Sequence, residues 1–159
     1  MIDDIDPPLV RAVLEMLAAS GASYQVLRHE PVFTSEQASA VRGTPLDSGA
    51  KALLHTADSR PILIVVPAHI RLDSRRFKQA YGVKNLRMVS TEEVETLGAV
   101  VGGVPPFGHL MGVQTYADEG IMRPHLLSFN AGNRTTSVIL QAEDYGCLEQ
   151  PIIGAFTTG

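Results

Sequence analysis

The N-terminal third of the chain alternates between helical and extended spacing. Leu9, Val10, Val13, Leu14 and Leu17 recur on one helical face. Pro7 and Pro8 open that helix and Gly21 closes it. Tyr24–Leu27 reads as a short strand, and Thr34-Ser35-Glu36-Gln37 as a capped helix start running to Val41, with Gly43 as its stop. Lys51–Thr56 and Pro61–Val66 read as strands joined by the polar turn Ala57-Asp58-Ser59-Arg60. The second of these is apolar on both faces and belongs in the middle of a sheet. Asp73–Tyr81 is amphipathic and ends at Gly82, Leu86–Val89 is strand-like, and Thr91-Glu92-Glu93-Val94 begins another capped helix. Gly102-Gly103-Val104-Pro105-Pro106-Phe107-Gly108 breaks every regular pattern. Leu126–Phe129 and Thr136–Leu140 follow as strands around Asn130-Ala131-Gly132-Asn133, and Ala142–Tyr145 as a final helical turn. Interleaved helices and hairpins predict an α/β (α+β) fold: one domain over residues 1–159 with a mixed, mostly antiparallel sheet or partial barrel flanked by helices.

At 159 residues, 45% hydrophobic and 19% charged, the chain has the composition of an ordinary globule. Its single cysteine, Cys147, allows no internal disulfide, which fits a reducing compartment. Met1-Ile2-Asp3-Asp4-Ile5-Asp6 is acidic and lacks the basic and apolar regions of a secretory signal. No apolar run approaches the ~18 residues that would span a bilayer. A cytoplasmic protein without a membrane partner is the expectation. The net charge of −4 argues against general coating of nucleic acid, and with no helix-turn-helix pattern it excludes DNA as the expected partner. Arg71, Arg75, Arg76, Lys78, Lys84 and Arg87 nevertheless cluster, opposed within that stretch by Asp73 alone. That run reads either as a solvated helix face or as a phosphate-contacting surface.

Two features bear on chemistry. Glycines in the 102–108 loop let a ligand approach the backbone and prolines stiffen it, so it could grip a small polar group or merely connect core elements. Gly103 and Gly108 have P-loop spacing, but His109 and Leu110 stand where Lys and Ser/Thr belong. Lys51 opens an apolar strand, and its ammonium points to solvent or into a cleft where it could bind phosphate or steady negative charge. There is no Gly-X-Ser-X-Gly elbow, and His29, His55, His69, His109 and His125 lack metal-ligand spacing, so no metal or cofactor is expected. Cys147 reads as structural, and the Asn133-Arg134-Thr135 glycosylation pattern as chance.

Several of these pieces occur in one order. Arg28-His29-Glu30-Pro31 followed by a capped helix, Lys51-Ala52-Leu53-Leu54, Val66–Asp73, Val83–Arg87, the 102–108 loop and Phe129–Gly132 with Ser137–Leu140 resemble the YbaK/prolyl-tRNA synthetase-associated (ProX-like) domain family over about residues 20–150. The resemblance implies an aminoacyl-tRNA hydrolase that cleaves the ester of mischarged tRNA, most often tRNA for proline carrying alanine or cysteine; related members act on serine or threonine. The alternative is a non-catalytic tRNA- or synthetase-binding module of the same fold. It also implies Lys51 as the catalytic side chain and Gly102, Gly103, Val104, Pro105, Pro106, Phe107 and Gly108, with His29, Asn130 and Gly132, as substrate-binding. Arg71, Arg75, Arg76 and Lys78 become tRNA contacts, with mischarged tRNA and a synthetase as partners. A protonated Lys51 would hold the terminal adenosine's phosphate or steady charge at the ester, while water or a substrate hydroxyl or thiol attacks. Val32, Leu53, Val104 and Phe129 are candidates for the pocket wall or for ordinary core.

Overall fold

The computed structural model describes residues 6–158. The acidic residues 1–5 lie outside them. In chain order, α1 (Pro8–Ser20) leads into β1 (Tyr24–Arg28), α2 (Ser35–Arg42), β2 (Ala50–Ala57) and β3 (Arg60–Pro67). Next come α3 (Ser74–Tyr81), β4 (Leu86–Met88), α4 (Thr91–Thr96) and β5 (Gln114–Asp118). The chain ends with β6 (Leu126–Asn130), β7 (Thr136–Gln141), α5 (Ala142–Glu149) and β8 (Ile152–Gly154).

Local sequence chemistry explains the boundaries. Pro8 lies at the first turn of α1, where a missing N–H costs nothing, and Gly21 closes the helix at φ 78°. Thr34 caps α2 by accepting from the Gln37 N–H at 3.0 Å. The Gln37 side chain reaches back to the Phe33 N–H at 2.9 Å, one residue before the expected cap partner. Ser90 and Glu93 form a full capping box on α4. Asp73 caps α3, and Gly82 ends it at φ 66°.

β3 lies at the centre of a five-stranded sheet of order β4-β2-β3-β5-β8, as its two-sided apolar pattern requires. It pairs with β2 antiparallel and with β5 parallel, and β8 adds a second parallel pair. A three-stranded antiparallel sheet, β1-β7-β6, faces it, and among the described residues an isolated bridge between Gly49 and Ser128 joins the two. The arrangement is mixed and mostly antiparallel, and the two sheets do not close into a barrel.

The alternation of β3 divides the interior. Leu63 and Val65 point into a large core with Leu14, Leu17, Phe107, Phe129, Leu140 and Tyr145. Ile62, Ile64 and Val66 point the other way, against Phe77 of α3 and Phe156. Phe77 packs edge-on against Phe156 and Tyr116 at 5.1 and 5.2 Å between centroids. Each such fully buried side chain contributes about 1.5–3 kcal/mol. Both packed faces therefore hold β3 firmly, and β3 pairs along its whole length with β2, which carries Lys51.

Two elements lie beyond what the sequence pattern predicts: β5, and the edge strand β8. α5 also runs on to Glu149, past the predicted turn at Ala142–Tyr145.

Candidate active site

The start of β2, the N-terminal and C-terminal ends of α2 and the 102–104 turn enclose a cleft of about 280 Å³. This is near the lower limit for ligand pockets and suits a small group. Lys51, Arg42 and Arg134 line it, and among the described lining residues there is no carboxylate.

β2 presents Lys51 because residues alternate across the strand. Ala50, Ala52 and Leu54 belong to the large core, and Lys51, opposite Val66, faces the other way. Its ammonium has no hydrogen-bond or ion-pair partner among the described residues. Partial burial lowers its pKa below the usual lysine value, and the nearby charge of Arg71 lowers it further.

Arg42, the last residue of α2, is 9% exposed. Its Nε donates to Ser137 Oγ at 2.9 Å, one terminal nitrogen to Ser128 Oγ at 3.2 Å and the other to Asn130 Oδ1 at 3.0 Å. Burial lowers its pKa to about 10, so it remains charged at neutral pH. Arg134 stacks over the Phe33 ring at 4.6 Å and donates to the carbonyls of Val101 at 3.2 Å and Val32 at 3.4 Å.

The glycine-proline loop divides in two. Gly102, at φ 79°, lies on the cleft, and a Cβ there would come within 2.3 Å of the Arg134 guanidinium. Its carbonyl accepts from Asn130 Nδ2 at 2.8 Å. Val104 also reaches the cleft. Gly103 is packed on the Asn133 backbone, which would stand 2.6 Å from an added Cβ. Pro105, Pro106, Phe107 and Gly108 are buried below. Tyr145 Oη donates to the Pro106 carbonyl at 2.8 Å, Phe107 packs on Phe129 and Tyr145, and the Gly108 N–H donates to Thr115 Oγ1 at 3.0 Å. The second half of the loop is thus a root in the core.

The remaining expected residues are distributed unevenly. Asn130 lines the cleft; Gly132 instead packs on Val10 of α1. His29 lies behind the cleft, its ring nitrogens held by the Glu30 carbonyl and Ser137 Oγ, both at 2.7 Å. Val32, Leu53 and Val104 line the cleft, whereas Phe129 is 1% exposed in the core. Arg71 is exposed and acts electrostatically on Lys51. Arg75, Arg76 and Lys78 lie on α3, whose Phe77 packs on the same sheet face that carries Lys51; Arg76 donates to the Thr157 carbonyl at 2.9 Å. Arg42 and Arg134 escaped sequence reasoning. An arginine in a last helical turn reads as a dipole complement, and Arg134 sits in a polar stretch of turn residues.

A cationic, carboxylate-free hollow bordered by rigid backbone can hold an anionic ligand and steady an oxyanion. Comparison with known proteins gives this chemistry a family. Residues 29–146 match the model of the aminoacyl-tRNA editing domain. The chain is 32% identical over 145 residues to the Escherichia coli (strain K12) multifunctional Ser/Thr-tRNA deacylase ProXp-y, covering 87% of each chain. It is 30% identical over 113 residues to the Bacillus subtilis (strain 168) protein YwhH, covering 70% of this chain and 71% of that one. A crystal structure described as a candidate trans-editing enzyme for prolyl tRNA synthetase superposes with a TM-score of 0.85 at 24% identity, over 96% of this chain and 98% of that one, and so shares the fold. The chain belongs to the aminoacyl-tRNA editing domain family, and with it to the aminoacyl-tRNA hydrolases.

Proposed function

We propose that the chain acts in trans, removing a small non-cognate amino acid from mischarged tRNA in the cleft between β2, α2 and the 102–104 turn. The observation that carries this reading is that Lys51 and Gly102 border one hollow that contains no carboxylate among its described lining residues. The terminal adenosine's phosphate lies toward Lys51 and Arg71, and the aminoacyl group against Gly102 and Val104. Water attacks the ester carbonyl. The bond to the ribose oxygen breaks, and that oxygen takes up the proton the water gives up, which leaves the free amino acid. Lys51 steadies the negative charge that builds up meanwhile, and positioning supplies much of the rest.

The family resemblance points first to alanine or cysteine on tRNA for proline. The hydroxyls of Thr34 and Ser35 and the carboxamide of Asn130 in the lining favour serine and threonine instead, as does the name of the Escherichia coli relative. A site able to hydrogen-bond a substrate hydroxyl discriminates far better than one that senses a methylene, which is worth only ~1–3 kcal/mol.

A panel of mischarged tRNAs tests the proposal: alanyl- and cysteinyl-tRNA for proline, seryl- and threonyl-tRNAs, and correctly charged controls. Release of serine and threonine fastest, abolished in Lys51→Ala with the fold intact, is the expected outcome. A wild-type protein that binds these tRNAs and releases nothing would instead identify a non-catalytic binding module.

A further inference from the structure

Arg42 is a buried guanidinium held by three neutral oxygens, with no ion-pair partner among the described residues. Three oxygens from three residues on β6 and β7 converge on one fork, a geometry that only the planar guanidinium satisfies. Arginine can only donate, so the atom of Asn130 facing it must be Oδ1. That fixes Nδ2 toward the Gly102 carbonyl, which it meets at 2.8 Å. The polarity of the other flank is equally determined. His29 Nδ1 faces the Glu30 carbonyl, a pure acceptor, and so carries the hydrogen. In the neutral ring Nε2 then accepts from Ser137 Oγ, and Ser137 Oγ accepts from Arg42 Nε. Donation diverges from Arg42: one arm runs through Ser137 to His29, the other through Asn130 to the carbonyl at the rim of the cleft.

We infer that Arg42 is a positioning residue for deacylation: by fixing the Asn130 carboxamide it orients the Gly102 peptide, so that the substrate-facing turn is set before the ligand arrives. The inference rests on the reading of this cleft as the deacylation site. It gives His29 a role at a distance from the substrate, and it makes Ser128 and Ser137, neither of which lines the cleft, determinants of activity.

The experiment compares Ser128→Ala/Ser137→Ala and Asn130→Asp with the wild type. It measures kcat/KM on whichever mischarged tRNA the wild type hydrolyses, the thermal midpoint, and the NMR signals of the Asn130 side-chain amide. The double serine variant removes two of the three oxygens on Arg42, and should shift the Asn130 amide signals and lower kcat/KM about 10- to 100-fold. Asn130→Asp keeps a partner for Arg42 but cannot donate to Gly102. It should hold or raise the thermal midpoint while losing a similar factor in kcat/KM; because Asn130 itself lines the cleft, the split that separates positioning from direct contact is read in the double serine variant, whose hydroxyls lie off the cleft. A folded double variant with wild-type amide signals and kcat/KM within two-fold of wild type overturns the inference, as does Asn130→Asp at wild-type activity. If the double variant fails to fold, Ser137→Ala alone is read by the same criteria. A wild type inactive on every mischarged tRNA sinks the functional reading instead, and the amide signals still report on the chain of hydrogen bonds.

Discussion

Lys51 ties the chemistry to a measurable titration. Burial disfavours its charged form, and Arg71 adds to the effect, so the folded state holds this proton less tightly than the unfolded chain. At low pH both states are protonated and the folded state carries the whole desolvation cost. Between the lowered folded pKa and the ordinary lysine value of ~10.4, the unfolded chain binds more protons, and the contribution of this residue to stability rises with pH. In the proposed mechanism the reaction uses the ammonium, so activity falls over the same window. Across the alkaline limb, activity relative to the uncatalysed ester hydrolysis should therefore drop while stability relative to Lys51→Met climbs. Arg71→Gln should move the limb upward, part of the way toward the ordinary lysine value, and Lys51→Arg should move it further. A limb that stays put in both variants shows that another group titrates. Lys51 was visible in the sequence as a charge opening an apolar strand. Arg42 was not: its hydrogen-bond partners Ser128, Asn130 and Ser137 lie 86 to 95 residues away.

The elements that were legible are those whose hydrophobic period is strong and whose ends carry caps or glycines: α1, α2, α3, and the β2–β3 and β6–β7 hairpins. β5 was not legible because Gln114-Thr115-Tyr116-Ala117-Asp118 looks polar. Its buried Thr115 and Asp118 are satisfied instead by partners far along the chain. Thr115 Oγ1 donates to Glu149 at 2.5 Å, and Asp118 Oδ1 accepts from the Phe156 N–H at 2.9 Å. The 102–108 loop was legible as special, but its division into a cleft-facing turn and a buried root depends on Tyr145, Phe129 and Thr115, which only the fold brings there. That division predicts opposite phenotypes for neighbouring glycines. Gly102→Ala meets the flexible end of Arg134, which can swing aside, and adds roughly 1–2 kcal/mol of left-handed strain. It should lose more activity than stability, because the displaced arginine also holds Val101. Gly103→Ala meets the Asn133 backbone, which cannot swing aside, and should cost about 1–3 kcal/mol in unfolding free energy. Denaturant midpoints and kcat/KM for the pair check the order; a Gly103→Ala as stable as wild type refutes the packing described for the root.

For the molecule as a whole, a net charge of −4 opposes a polyanionic substrate, so productive binding depends on where the cations lie. Arg71 borders the environment of Lys51, and α3 carries Arg75 and Lys78 on the side of the sheet that Lys51 faces. Its central Phe77 fixes the helix to the sheet, so these charges stand on a rigid surface. Arg76 is partly committed to the Thr157 carbonyl, which leaves Arg75 and Lys78 as the cleaner probes. If the acceptor end of tRNA crosses α3 on its way to the cleft, each phosphate neutralised there releases counterions, and KM rises with salt. Arg75→Gln/Lys78→Gln should raise KM while leaving kcat nearly unchanged, because neither side chain lines the cleft. The slope of log KM against log salt should also fall, by about 0.7 for each single-strand phosphate that the variant no longer neutralises. A lower kcat at unchanged KM would show that these charges act on the reaction and not on the approach. An unchanged KM and salt slope would route the tRNA over another face, leaving α3 as a solvated packing helix.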